Sequence, residues 1–355
     1  MRSSCPYNGQ PSTAKWRDAV ARIAPVAVDP TMPAGMSINR QTVVASAGSC
    51  FAQHIRNQLV RRGYNFLITE PGPEVLSEGR REDLNYGIFP ARFGNVYTTV
   101  QLQQLFERAY GRFDPQEDHW ADGGAFYDPF RPHVEPDGFP ALDDLREDRA
   151  RHLAATRRMF ETLDVFIFTL GLTEAWRSRI DGAVFQVCPG CSVGAFDPAR
   201  HEFVNFGAKA TADALFAFID GLKEVNPAAR VILTVSPVPL AATMTTNHVI
   251  EATTYSKSVL RVAAEEARES YAHVEYFPSY EIITATGRTH EVFTGDRRNV
   301  TSAAVARVMD LFFQRYAGEA APTPDAVTPG DRPIAAEPVV CDEEQALRAL
   351  SKLEQ

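Results

Sequence analysis

Gly48-Ser49-Cys50 sets a hydroxyl and a thiol side by side, directly after the apolar run Thr42-Val43-Val44-Ala45. A nucleophile on a tight turn between a strand and a helix is held exposed. The positive end of the helix lowers its pKa, and the amides of the turn can hold a developing oxyanion. That position suits acyl transfer or ester hydrolysis through a covalent intermediate on Ser49 or Cys50. Each residue also has a plainer reading: Ser49 as a helix N-cap, and Cys50 as a small buried hydrophobe.

Cys188-Pro189-Gly190-Cys191 carries the spacing of redox and zinc motifs. A zinc site needs further Cys or His ligands, and His201 is the only close candidate. A redox pair belongs at a helix start, whereas residues 192–198 read as loop. The pair is read here as a turn made by Pro189-Gly190, and nothing in the sequence calls for a metal.

The elements that must position the first turn follow from apolar spacing. Residues 50–62 place Phe51, Ile55 and Leu59 four apart on one helical face, and Gly63 is suited to end that helix. Residues 64–97 read mostly as loop. Helices are expected over 98–110 with Thr98 as cap, 142–163, 210–225, 254–270 and 301–316. Buried strands are expected at 164–170, 231–235 and 274–277, with a further strand at 183–187. Residues 111–140 form a long irregular stretch with Trp120, Phe126, Tyr127, Phe130 and His133, of the kind that builds a binding surface or lid.

Strands alternating with helices predict an α/β fold, three layers deep (α/β/α), with a mainly parallel central sheet. Ligands of such sheets bind beyond the carboxyl ends of the strands. The residues that follow the strands are Gly48-Ser49-Cys50, Gly171-Leu172-Thr173-Glu174 and Ser236-Pro237-Val238-Pro239.

Residues 1–40 read as a lead-in with one short helix near 13–23, and 41–317 as the folded domain. Residues 318–340, rich in Ala, Pro and Asp, read as a disordered linker, and 341–355 as a short helix. The 355 residues carry a formal net charge of −9, and five Cys do not make a disulfide framework. The acidity argues against nucleic acid or an anionic membrane surface as partner. No run has signal-peptide character or the length of a membrane span, so the expectation is a cytoplasmic protein acting on a small molecule. The oligomeric state is not legible.

The longer string Gly48-Ser49-Cys50-Phe51-Ala52 resembles the name-giving motif of the GSCFA family, itself similar to the SGNH/GDSL hydrolases with their flavodoxin-like layers. Asn85-Tyr86-Gly87, Leu170-Gly-Leu-Thr-Glu-Ala-Trp176, Val235-Ser-Pro-Val238, Tyr255-Ser-Lys257 and Tyr276-Phe-Pro-Ser-Tyr-Glu281 extend that resemblance over about residues 40–316. It implies an esterase or acyltransferase, with carbohydrate esters and polysaccharide modification as the substrate area. No cofactor is implied, and coenzyme A is compatible as an acyl donor. In SGNH register Cys50 falls on the nucleophile; a shift of one residue makes it Ser49. Gly87 matches the oxyanion glycine. Thr173 stands where an Asn would donate, with Glu174 beside it for a substrate hydroxyl or a proton. Asp296 matches the Asp of the last block, but Asn299 stands in the place of the base His, and an amide does not accept a proton near neutral pH. His290, His248 or His54 would then have to serve as base, or Cys50 act as thiolate, or the site bind without turnover. Asn85, Tyr86, Ser236, His248 and His290 are further candidates for substrate contact.

Overall fold

The structure, a computed structural model, describes residues 5–285, 292–319 and 342. The chain divides into two compact units, residues 1–37 with 277–337, and residues 38–276 with 338–355.

The second unit is built on β1 (Val44–Gly48), β4 (Val165–Leu170), β8 (Arg230–Val235) and β9 (Val274–Tyr276), which pair in parallel in the order β1-β4-β8-β9. Every residue of β1 and β4 is buried, as continuous apolar strands of a covered sheet require. On the other side of β1, Val44 exchanges backbone hydrogen bonds with Asn65 and Leu67 and bridges Phe66 in parallel. The chain thus leaves β1 to one side and returns on the other as β4. The gap between the carboxyl ends of β1 and β4 is the topological switch point, where doubly wound sheets open a crevice.

Helix α1 (Cys50–Arg61) packs on β1 and β4 through Phe51, Ala52, Ile55 and Leu59, and Gly63 follows it with φ +72°, the left-handed stop that its lack of a Cβ permits. Helix α2 (Glu78–Asp83) lies in the stretch expected to be loop. Helix α3 (Thr99–Ala109) opens with the reciprocal capping box Thr98–Gln101. Helices α4 (Leu142–Thr162) and α5 (Ala208–Val225) meet the sheet through Phe160, Phe166 and Phe218, whose ring centroids lie 5.3–5.8 Å apart. Helix α6 (Val249–Ser270) packs on β8 and β9 and starts a turn earlier than its apolar spacing suggests.

Several elements differ from expectation. Residues 111–140 contain the hairpin β2 (Trp120–Asp122) and β3 (Ala125–Tyr127), turned by Gly123 and Gly124, both at positive φ. Glu174 opens a strand, β5 (Glu174–Ser178), not a helix. It pairs with β6 (Val184–Phe185) and β7 (His201–Asn205) in an antiparallel sheet.

The first unit holds short helical turns, among them a π-helical turn at Arg17–Ala21 in place of the expected helix. It also holds α7 (Ser279–Thr284) and α8 (Ser302–Ala317), the latter capped by Thr301 and ended by Gly318 at φ +65°. Of the linker only residues 318 and 319 are described, and of the terminal helix only Asp342.

Candidate active site

Gly48 shows why a glycine must precede the turn. It has φ +143°, and a Cβ there would stand 2.4 Å from the Thr169 carbonyl oxygen of the neighbouring strand. Ser49 then takes an extended conformation at the N-cap of α1, while Cys50 is the first helical residue and is buried. An N-cap serine ordinarily accepts a hydrogen bond from the second or third helical amide, worth about 1 kcal/mol. Ser49 makes no such bond, and its Oγ is buried without any partner. Leaving a buried hydroxyl unsatisfied costs roughly 1–3 kcal/mol, so the arrangement calls for a reason beyond folding.

The surroundings of Ser49 are tightly fixed. Val96 N donates to Gly48 O (2.9 Å), and the amides of Gly171 and Leu172 both donate to Tyr97 O (3.1 and 2.9 Å), so residues 96–97 are stapled across the ends of β1 and β4. On α6, Lys257 Nζ donates to Gly171 O (2.7 Å) and Ser256 Oγ accepts from Thr173 N (3.1 Å). Gln53, one turn along α1, donates to Asn95 Oδ1 (3.1 Å). Asn95 Nδ2 and Tyr97 OH in turn donate to Asp342 Oδ2 (2.7 and 3.1 Å).

A largely apolar pocket of about 460 Å³ is lined by Tyr97 and Leu172, which neighbour the turn through Gly171, while Ser49 and Cys50 are not among its lining residues. Tyr97 and Leu172 form one wall, Trp176, Phe196 and Phe203 another, and Cys188 and Cys191 a third. Cys188 Sγ donates to Pro189 O (3.5 Å), and the interaction between the two thiols lowers Cys191 and, with burial, pushes Cys188 above the ordinary thiol range.

The remaining residues singled out from sequence fall in different places. Thr173 donates its hydroxyl to Asn205 Oδ1 (2.7 Å), so in this arrangement it has no proton to offer an oxyanion. Glu174 accepts from Thr243 Oγ1 (2.6 Å) and Met244 N (3.1 Å), which fixes the pocket rim at residues 243–244. Ser236 is buried and accepts from Val238 N (3.3 Å). Gly87 has φ +75°, next to Arg56. Tyr86 and Asn85, expected to touch substrate, have protein partners: the Arg92 guanidinium stacks on and donates to Tyr86, and Asn85 donates to His133 O (3.0 Å).

His248 is exposed and caps α6, its Nδ1 accepting from Ile250 N (3.2 Å). His54 rests edge-on against Phe51. His290 lies outside the described residues. In the first unit, Asp296 accepts the amides of Arg298 and Asn299, and Asn299 Nδ2 donates to its other oxygen (2.7 Å). Burial would raise Asp296, but these donors and Thr294 outweigh it and hold the carboxyl at about 2.

Sequence reasoning missed the buried scaffold under residues 128–135. Arg131 bridges Asp128 (3.0 Å) and Asp148 (2.6 Å), and Arg92 bridges Asp148 (3.1 Å) and Glu135 (2.7 Å) while donating to Val134 O (2.8 Å). Single charged residues carry no pattern that announces such a network. Among the described residues no group of three or more His, Cys, Asp or Glu is placed to hold a metal, and no helix is long and apolar enough to cross a membrane.

Four parallel strands in one sheet flanked by helices define the class: an α/β protein, with an unpaired hydroxyl at the switch point as its candidate site. The chain belongs to the GSCFA family, whose model matches residues 43–312. No curated protein matches it. Among solved structures, it is similar to an acetyl esterase mutant with acetate ion (10% identity, TM-score 0.34), over 76% of this chain and 92% of that one. It is also similar to a carbohydrate esterase family 3 protein from Talaromyces cellulolyticus (10% identity, TM-score 0.35), over 77% and 94% of the two chains.

Proposed function

We propose that this protein is an esterase or acyl-transfer enzyme in which Ser49 is the nucleophile. The observation that carries the reading is the Ser49 hydroxyl itself, buried at an N-cap it does not serve. A hydroxyl kept free of protein partners, at the positive end of a helix and at the switch point of the sheet, is available to a reacting carbonyl. Cys50 is as buried as Ser49 but already lies inside the helix, so Ser49 is the one at the cap. Helix α1 points its first amides toward the turn, where they are suited to hold the oxyanion, Ala52 N excepted because it donates to Ser49 O (2.8 Å). The pocket bounded by Tyr97 and Leu172 takes an acyl or aryl group. Carbohydrate esters are the substrate class we favour, with sugar rings against Trp176, Phe196 or Phe203. A coenzyme A thioester is the acyl donor we favour if the reaction is transfer.

The test is hydrolysis of 4-nitrophenyl acetate by wild type, Ser49→Ala and Cys50→Ala. The reading expects Ser49→Ala to lose most of the turnover and Cys50→Ala to keep most of it; equal turnover in all three proteins would contradict it.

One observation favours a second reading, a binding protein that has lost turnover. Asn299 has no proton-accepting group, and its amide is held by the carboxylate of Asp296. That reading expects ester ligands to bind with no difference in turnover between wild type and either variant.

A further inference from the structure

We propose that Ser192, His133 and Asp342 form a second nucleophilic centre, a Ser-His-Asp relay that cleaves small apolar carboxylic esters. This goes beyond the role given to Ser49 and does not depend on it. His133 Nδ1 stands 2.8 Å from Asp342 Oδ1, and His133 Nε2 stands 3.2 Å from Ser192 Oγ. These are the contacts, on the correct ring nitrogens, by which a carboxylate orients an imidazole that in turn takes the proton of a serine. Such a constellation is recognised by geometry and role rather than by position in the sequence.

Each member is held for the task. Asp342 is 2% exposed, and its other oxygen accepts from Asn95 Nδ2 and Tyr97 OH, so the carboxylate is fixed in orientation with both oxygens occupied. It receives a further bond from neither Lys nor Arg among the described residues, which leaves its charge directed at His133. The His133 backbone is gripped by Asn85, a residue held at φ +61°, a conformation that Asn tolerates better than most side chains. The adjoining Val134 carbonyl is gripped by Arg92 (2.8 Å), and Arg131 two residues earlier is locked by Asp128 and Asp148. The imidazole therefore sits on a segment anchored by buried charge. Ser192 is partly exposed, in contrast to Ser49, and Cys191 beside it in the chain lines the 460 Å³ pocket.

The chemistry balances without a cofactor. Ser192 Oγ bonds to the ester carbonyl carbon as its proton passes to His133 Nε2, and Asp342 stabilises the imidazolium through Nδ1–H. Collapse of the tetrahedral adduct breaks the C–O bond to the alcohol, which leaves with the proton from Nε2. Water then adds to the acyl-serine, gives its proton to Nε2, and the carboxylic acid departs with Ser192 restored.

The experiment treats the full-length protein with an alkyl fluorophosphonate and maps the adduct by peptide mass. The proposal expects an adduct on Ser192, present also in Ser49→Ala, absent in Ser192→Ala, and formed at least about 100-fold more slowly in His133→Asn. Should His133→Asn not fold, Asp342→Asn serves in its place: it is isosteric, removes the charge that orients the ring, and is expected to slow labelling to a similar degree. No adduct on Ser192, or an adduct formed there at the wild-type rate in the folded variant, would overturn the proposal. An adduct on Ser49 alone overturns it while leaving the reading of Ser49 intact.

Discussion

Gly171 and Ser49 meet with no room to spare: a methyl group on Gly171 would stand 3.1 Å from Ser49 Cβ and 3.2 Å from Tyr97 O. The glycine after β4 therefore sets how closely the site turn approaches the neighbouring strand end. In Gly171→Ala the crowding must move Ser49 or the residue 97 backbone by a few tenths of an ångström. Overpacking of this kind costs about 1–3 kcal/mol. The expected outcome is a modest fall in melting temperature with a disproportionate loss of kcat towards 4-nitrophenyl acetate, because either shift changes the placement of Ser49 against Tyr97.

The charge network beneath residues 128–135 has a separate signature. Arg131 is 1% exposed and faces Asp128 and Asp148. Replacing it by Met leaves two buried carboxylates short of a partner. Breaking a buried pair in this way costs about 3–5 kcal/mol. Urea unfolding of Arg131→Met should show a midpoint lowered accordingly with an unchanged slope.

The same network makes the fold acid-sensitive. Burial would raise Glu70, but His152, Arg131 and the Arg92 amide together lower it from 4.5 to about 2. A carboxylate whose folded pKa lies below its unfolded value contributes stability above the unfolded pKa and loses it as pH falls through the folded one. The melting temperature should therefore decline between pH 4.5 and about 2. Glu70→Gln should be less stable near neutral pH and show a shallower decline over that interval. An equal decline in both proteins would remove Glu70 from the account.

At the pocket wall, the interaction with Cys188 lowers the Cys191 thiol below its ordinary range. Alkylation by iodoacetamide near neutral pH should fall on Cys191 first, with a rate that rises through that pH. In Cys188→Ser the profile should move toward the ordinary thiol range near 8.5. Equal labelling of both thiols at every pH would contradict the asymmetry.

How much of this was legible in the sequence depends on whether neighbours or distant partners supply the signal. Phe51, Ile55 and Leu59 with Gly63 announce α1, and the run Val165-Phe-Ile-Phe-Thr-Leu170 announces β4, because each pattern is local and strongly apolar. The strand-turn-helix that carries Ser49 is legible for the same reason. β5 and β7 were not: Glu174 to Ser178 and His201 to Asn205 are mostly half-buried and mix charge with aromatic side chains, so their pairing is decided by tertiary contact. The bonds of Asn85 to His133 and of Arg92 to Tyr86 are equally invisible, since no local pattern announces them. Nothing in the chain brings His133 and Asp342 together on paper, since the contact spans 209 residues. The choice between Ser49 and Cys50 is likewise not legible in the sequence, because the boundary of α1, with Ser49 as N-cap and Cys50 as first helical residue, is set by the fold.

The most direct measurement is to quench the enzyme during turnover of 4-nitrophenyl acetate and locate the acetyl group by peptide mass. The account predicts a gain of one acetyl on Ser49 in wild type and in Cys50→Ala, and none on that peptide in Ser49→Ala. An acetyl found on Cys50, or turnover in Ser49→Ala equal to wild type, would contradict it.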